Sequence, residues 1–377
     1  MGNILDYLDW RGDLSLGQDP FNDVDNLILA SLSYLEFDGV VPGIGEGSIS
    51  LSRAAEEFFS RYPLGEKVDM GLVVPAEVPA MLEKMARTER FGAMRLSCYV
   101  NHVDQKASEQ FSALTVETGD RQIYCAFRGT DDTLAGWRED LEMACTEEIP
   151  AQKLAADYLR KTARCYPRRG IRLGGHSKGG NLAVYAAALC PQRLQHRITV
   201  VWSNDGPGFY EEALNSPGYG RVRDRLHSVI PKASVVGMLL DHDTEDTVVD
   251  SDQLGVLQHN PFSWQVMGGG FVVLPEMDRG AREGSLAIRE WMKKTTPEGR
   301  NRFVEALFSV LTAGGAETLT DLKDGDLRDA GAVVRAMKDM DRETREGILE
   351  FMQLLVANNT KLVLEGLRQE LEKLRKK

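Results

Sequence analysis

Leu173-Gly174-Gly175-His176-Ser177-Lys178-Gly179-Gly180-Asn181 is the stretch whose reading decides the fold. Ile171-Arg172-Leu173 ahead of it reads as a short buried strand, and Leu182-Ala183-Val184-Tyr185-Ala186-Ala187-Ala188-Leu189 behind it is a strong helix former. The order is strand, tight turn, helix. Inside the turn, Gly175-x-Ser177-x-Gly179 is a nucleophile-elbow pattern, in which small residues flank a serine so that a strained backbone can push its hydroxyl clear of a sheet. The helix starting just past Ser177 aims unpaired N–H groups and a positive dipole end at the same spot, which suits a developing oxyanion. The same letters could spell an ordinary turn, but the strand before and the helix after favour a catalytic serine.

Working outward, Leu96 to Val103, Phe111 to Glu117 and Gln122 to Phe127 are apolar or alternating runs, the last two joined by Thr118-Gly119-Asp120. They predict antiparallel strands feeding a sheet. Downstream, Ile198-Thr199-Val200-Val201-Trp202 is a β-branched run, and short strands are predicted at His227 to Ile230, Val235 to Leu240, Thr247 to Asp250 and Phe271 to Leu274. Helices are predicted from Asn22, across Leu51 to Tyr62, Ala80 to Arg90 and Ala135 to Met143, and after Pro150. Strands alternating with helices of this length favour a largely parallel sheet covered on both faces. From about Arg282 glycine thins and helical periodicity runs nearly to Lys377. The expected organisation is a sheet domain over 1–280 and a helical extension over 281–377 docked on it.

The chain has 377 residues, 42% of them hydrophobic, enough for a substantial core. A net charge of -12 argues against a nucleic-acid partner. No window approaches the roughly 20 apolar residues of a transmembrane helix, and the first residues lack a basic start followed by an apolar core. Cys98, Cys125, Cys145, Cys165 and Cys190 are scattered, with no close pair to suggest zinc or redox chemistry, and read as buried thiols in a reducing cytoplasm. No metal or organic cofactor is implied.

A serine nucleophile needs a base. His176 is adjacent to the serine, where strand-turn-helix geometry is expected to turn its ring away as packing support. Elbow hydrolases run nucleophile, acid, base along the chain, leaving His227, His242 and His259. His259, in the loop Gln258-His259-Asn260-Pro261, is favoured over His242 in the charged loop Asp241-His242-Asp243. For the acid, Asp205 closes the strand after the elbow helix, with Asp241, Asp243 and Asp246 as alternatives nearer the histidine in sequence. Phe127-Arg128-Gly129-Thr130 ends an apolar run, and its Gly-Thr can turn a backbone N–H and a hydroxyl into a cavity. Thr130 is therefore a candidate oxyanion donor beside the N–H of Lys178, although a helix-capping role for Thr130 would use the same residues.

Phe127-Arg128-Gly129-Thr130 with Trp137 and Asp140, followed by Gly175-His176-Ser177-Lys178-Gly179-Gly180, resembles the class-three lipase branch of the α/β-hydrolases. Asn3-Ile4-Leu5-Asp6-Tyr7-Leu8, Asp205-Gly206-Pro207-Gly208-Phe209 and Gln258-His259 are more similar still to an uncharacterised bacterial family related to those lipases, over roughly residues 1 to 275. The resemblance implies a serine hydrolase fold with Ser177 as nucleophile, His259 as base, and Thr130 and Lys178 at the oxyanion positions. It also implies a departure, because Ser234 of Ala233-Ser234-Val235-Val236 falls where those lipases carry the triad aspartate. The expected function is hydrolysis of a carboxylic ester, lipid ester or thioester through an acyl-enzyme. The rival is a catalytically inactive hydrolase-like scaffold that binds a protein partner through its helical tail.

Overall fold

Asn3 and Asn22 begin the first two helices in the same way. Each accepts backbone N–H bonds on its side chain, while an aspartate three residues on, Asp6 or Asp25, accepts the cap residue's own N–H. This reciprocal capping fixes α1 (Ile4–Arg11) and α2 (Asp23–Leu32) in the computed structural model. The structure describes residues 1–63, 74–104, 109–130, 138–140, 142–143, 145–234, 236–241, 243–283 and 296–313. Trp137, His242, part of the expected helix from Ala135 and most of the 281–377 extension lie outside the described residues.

Among the described residues the main sheet has eight strands in sequential order. β1 (Ser48–Ser50), β2 (Arg95–Asp104), β3 (Glu109–Glu117) and β4 (Gln122–Phe127) pair antiparallel, and from β4 onward every pairing is parallel, through β5 (Gly170–His176), β6 (Ile198–Asn204), β7 (Leu226–Pro231) and β8 (Asp246–Val249). A bulge lies between Ser97 and Val100 of β2, where Cys98 takes φ +52. The expected mostly parallel sheet covered on both faces is present.

Side-chain alternation divides the core. Tyr124 and Ala126 of β4 face one apolar cluster with α1, α2, α3 (Leu51–Arg61) and α4 (Val78–Ala86), whereas Ile123, Cys125 and Phe127 face a second with α5 (Pro150–Cys165) and α6 (Lys178–Leu189). A large apolar side chain fully buried in either layer contributes about 1.5–3 kcal/mol, so the strands that carry the site are held from both sides. On the first face Arg90 reaches into the helices, its Nε donating to Asp25 Oδ1 at 2.7 Å and its Nη1 to the carbonyls of Leu14 and Asp19.

Several expectations are corrected. Of the strand expected from Val235 to Leu240, the described residues 236–240 are not a strand, and Val236–Met238 forms a single 3-10 turn. Phe271 to Leu274 is not one continuous strand: Phe271 pairs with Val266 in the small Val266–Met267/Gly270–Phe271 hairpin, and Val273 forms an isolated antiparallel bridge to Val249 of β8. Ser48–Ser50, which was not among the predicted strands, forms β1 at the edge of the sheet. Among the cysteines Cys165 is exposed; the other four are buried, and all five are free thiols.

Candidate active site

β5 ends at His176, and Ser177 turns the chain with φ +58 and ψ -135, a conformation that costs a non-glycine residue energy and that the surroundings must enforce. The enforcement is close packing. A Cβ on Gly175 would lie 2.2 Å from the carbonyl carbon of Gly179, and one on Gly179 would lie 2.1 Å from the carbonyl oxygen of Phe127. Only glycine lets the helix start and the end of β4 approach this closely. The Ser177 N–H donates to the Asn204 carbonyl at 2.9 Å, tying the elbow to the end of β6.

Asp205 follows Asn204 with φ +50 and is fully buried. Its N–H donates to the Val229 carbonyl of β7 at 2.8 Å. Its Oδ2 lies 2.6 Å from His259 Nδ1, and its Oδ1 accepts the Ser234 hydroxyl and, at 3.1 Å, the Gly237 N–H. Burial alone would raise this carboxyl, but hydrogen bonds and charge from His259, with the Ser234 bond, hold it below the ordinary carboxylate range. Asn181 on α6 fixes the turn that follows, donating from Nδ2 to the carbonyls of Pro207 at 3.1 Å and Gly208 at 2.9 Å.

His259 ends a 3-10 segment, Gly255–His259. The segment is anchored by Trp264 Nε1, which donates to the Gln258 carbonyl at 2.8 Å, and by Gln258 Oε1, which accepts the Ala233 N–H at 3.0 Å. The expectation for His176 is corrected: its ring does not turn away but lies against that of His259, centroids 4.6 Å apart and planes 35° apart. His176 Nε2 is 2.8 Å from the His259 carbonyl oxygen, and Nδ1 is 2.9 Å from Tyr34 Oη. Burial, with the charge of His259 beside it, pushes the His176 imidazole down to about 3, so it is neutral at physiological pH.

Gly129 lies against the elbow, since a Cβ there would come within 2.6 Å of the His176 carbonyl oxygen and 3.2 Å of Ser177 Cβ. Thr130, next in the chain, is buried, and its hydroxyl donates to Asp140 Oδ2 at 2.5 Å. The Lys178 side chain is buried and meets Glu139 Oε2 at 2.7 Å, with Asp140 Oδ1 at 3.8 Å. Burial pushes the Asp140 carboxyl up to about 6 against the pull of Lys178 and Thr130. Glu139, the fully buried partner of Lys178, was not anticipated; an ion pair between sequence-distant residues has no local signature.

The structure brings Asp205 and His259 together and seats Gly129-Thr130 against the elbow. It does not bring in the other described candidates. His227 is exposed near the Trp202 ring, Asp243 pairs with Arg223 at 3.3 Å, Asp246 opens β8, and Asp241 is exposed and bridges to Phe209. Among the described residues no cluster of side chains could hold a metal ion, and no helix is long and apolar enough to cross a membrane.

No curated protein matches the sequence. Similar solved structures include a deletion mutant of the Rhizomucor miehei lipase propeptide complex, at 15% identity and TM-score 0.34, covering 46% of this chain and 59% of that one. The chain thus spans under two thirds of that protein's length. The Lip2 lipase of Yarrowia lipolytica is similar at 13% identity and TM-score 0.34 over 64% of this chain and 83% of that one. A lipase of Rhizopus microsporus var. chinensis is similar at 14% identity and TM-score 0.33 over 71% and 92%. The Mbeg1-like family model matches residues 85–309, more than half of the sequence, and the chain belongs to that family.

Proposed function

We propose that the protein is a serine hydrolase that cleaves a carboxylic ester, lipid ester or thioester through an acyl-enzyme. The observation that carries this reading is a serine held at φ +58 on a glycine-lined elbow, one strand away from a buried aspartate bonded at 2.6 Å to a histidine. Ser177 Oγ attacks the acyl carbon as its proton passes to His259 Nε2. Asp205 holds the proton on Nδ1 and stabilises the imidazolium. The oxyanion is received by the backbone N–H groups of Lys178 and Thr130, the Thr130 hydroxyl being engaged in its own bond to Asp140. Collapse breaks the bond to the leaving oxygen or sulfur, which takes the proton from His259. Water, deprotonated by the same histidine, then attacks the acyl carbon and releases the acid and Ser177.

The free state of the cysteines supports a reducing, cytoplasmic setting. We keep the division into a hydrolase domain over 1–280 and a docked helical extension over 281–377 as part of the proposal. Burial of Val304 and Phe308 on the helix Pro297–Ala313 supports docking. The test is covalent labelling by a fluorophosphonate, read by intact mass, with Ser177→Ala as control. Single-site labelling lost in the variant supports the reading. A folded protein that takes up no label, or a variant that labels equally, overturns it and favours the non-catalytic scaffold.

A further inference from the structure

We infer that His176 is a positioning residue that locks the main chain of His259 over the elbow through an Nε2–H bond, with Tyr34 supporting the required tautomer as donor to Nδ1. The inference rests on the hydrolase reading. Asp205 restrains the far side of the His259 ring, but a ring held at one nitrogen can still swing with its backbone, and catalytic geometry is sensitive to displacements on the ångström scale. The His259 carbonyl, 2.8 Å from His176 Nε2, is where that swing is stopped.

The donor must be Nε2, because a carbonyl oxygen can only accept. Nδ1 is then the acceptor, which suits Tyr34 Oη at 2.9 Å as an O–H donor. The opposite tautomer would set a lone pair against the lone pairs of the His259 carbonyl, whereas the Tyr34 hydroxyl can donate to Nδ1 or accept from it, so the carbonyl decides. Ring stacking at 4.6 Å places His176 beside the imidazolium that forms during turnover, so a cation at His176 would oppose it. Burial of the His176 ring removes that conflict. As His176 immediately precedes Ser177, nucleophile and base segment are referred to one rigid strand end.

The experiment measures the second-order rate of fluorophosphonate labelling in His176→Leu, His176→Gln and Tyr34→Phe, with nitrogen-15 shifts of the His176 ring in the wild type and Tyr34→Phe. We expect His176→Leu to label about 10²-fold more slowly, and His176→Gln, whose amide can offer an N–H to the same carbonyl, to regain at least about tenfold of that. The ring shifts should report protonated Nε2 and acceptor Nδ1 at neutral pH, a preference weakened in Tyr34→Phe. If the wild type labels and a folded His176→Leu labels equally fast, this assignment falls and the hydrolase reading stands. If the wild type takes no label, both fall. Should His176→Leu fail to fold, the wild-type ring shifts decide: a protonated Nδ1 with Nε2 as acceptor overturns the assignment.

Discussion

Ser234 donates its hydroxyl hydrogen to Oδ1 of Asp205, the carboxylate whose other oxygen meets His259. The position at which resemblance leads one to expect an aspartate thus carries a donor, and the carboxylate comes from the neighbouring strand end. β6 and β7 are parallel neighbours, so an acid at the end of one and a hydroxyl after the other reach the same point.

Asp205→Asn should fold yet lose about 10⁴-fold in turnover, the loss expected when an amide stabilises the wrong imidazole tautomer. Asp243→Asn, removing only a half-exposed pair with Arg223, serves as the control and should stay near wild type. Turnover of short-chain p-nitrophenyl esters reads both. Equal activity in the two variants would remove Asp205 from the mechanism.

Ser234→Ala should destabilise the protein at neutral pH by about 1.5–3 kcal/mol, the range for a hydrogen bond to a charged group. The Asp205 carboxyl lies below its unfolded range, so its stabilising contribution is present above the unfolded carboxylate pKa and is lost as pH falls through the folded one. The wild-type advantage over Ser234→Ala should therefore shrink in acid. Urea melts at pH 7 and pH 3 measure it, and an advantage that grows on acidification would contradict the assignment.

Asp140 should act with the opposite sign. Its carboxyl titrates at about 6 in the folded protein, above the ordinary value of 3.8, so the native state binds more protons than the unfolded chain between those values. Wild-type stability should decline relative to Asp140→Asn as pH rises from 4 to 6 and run parallel above about pH 7. Parallel curves across the whole range would show that Asp140 titrates normally.

Lys178→Met leaves Glu139 buried without its cation and should cost about 3–5 kcal/mol. The double variant with Glu139→Gln should cost clearly less than the sum of the two single changes. Additive losses in chemical denaturation would mean that the 2.7 Å contact carries no coupling.

Gly179→Ala tests the elbow packing. Its methyl would meet the Phe127 carbonyl oxygen at 2.1 Å, and backbone cannot step aside as a flexible side chain can. A loss of about 1–3 kcal/mol or more is expected, together with loss of labelling. A variant as stable as wild type would mean that β4 and α6 can separate freely.

Legibility followed the range of the interaction. The elbow, the β2–β4 meander and the Asn22 cap were readable because alternation, turn residues and capping side chains are local. Asp205 and His259 could be selected from strand-end and loop placement. β1 could not, because three residues become a strand only by pairing with Arg95 to Ser97. Val235 to Leu240 misled by its apolar letters; the 3-10 turn there brings the Gly237 N–H to Asp205. His176 misled for a related reason: its part is set by Tyr34 and by the His259 loop, residues 142 and 83 positions away.

The pairing of His176 with Asn204 in the β5–β6 ladder has one more consequence. Ser177 and Asp205 each sit one step beyond that pair, and each adopts a left-handed backbone, φ +58 and φ +50. The two kinks lie in register, like matching creases across a folded sheet of paper. Their spacing is inherited from strand hydrogen bonding rather than from the connections that follow, so the segments after Asp205 can change in length or composition without altering it. In hydrogen exchange, the amides of Ser177 and Asp205, which donate to neighbouring strands, should accordingly be among the last to open, protected to the level of global unfolding.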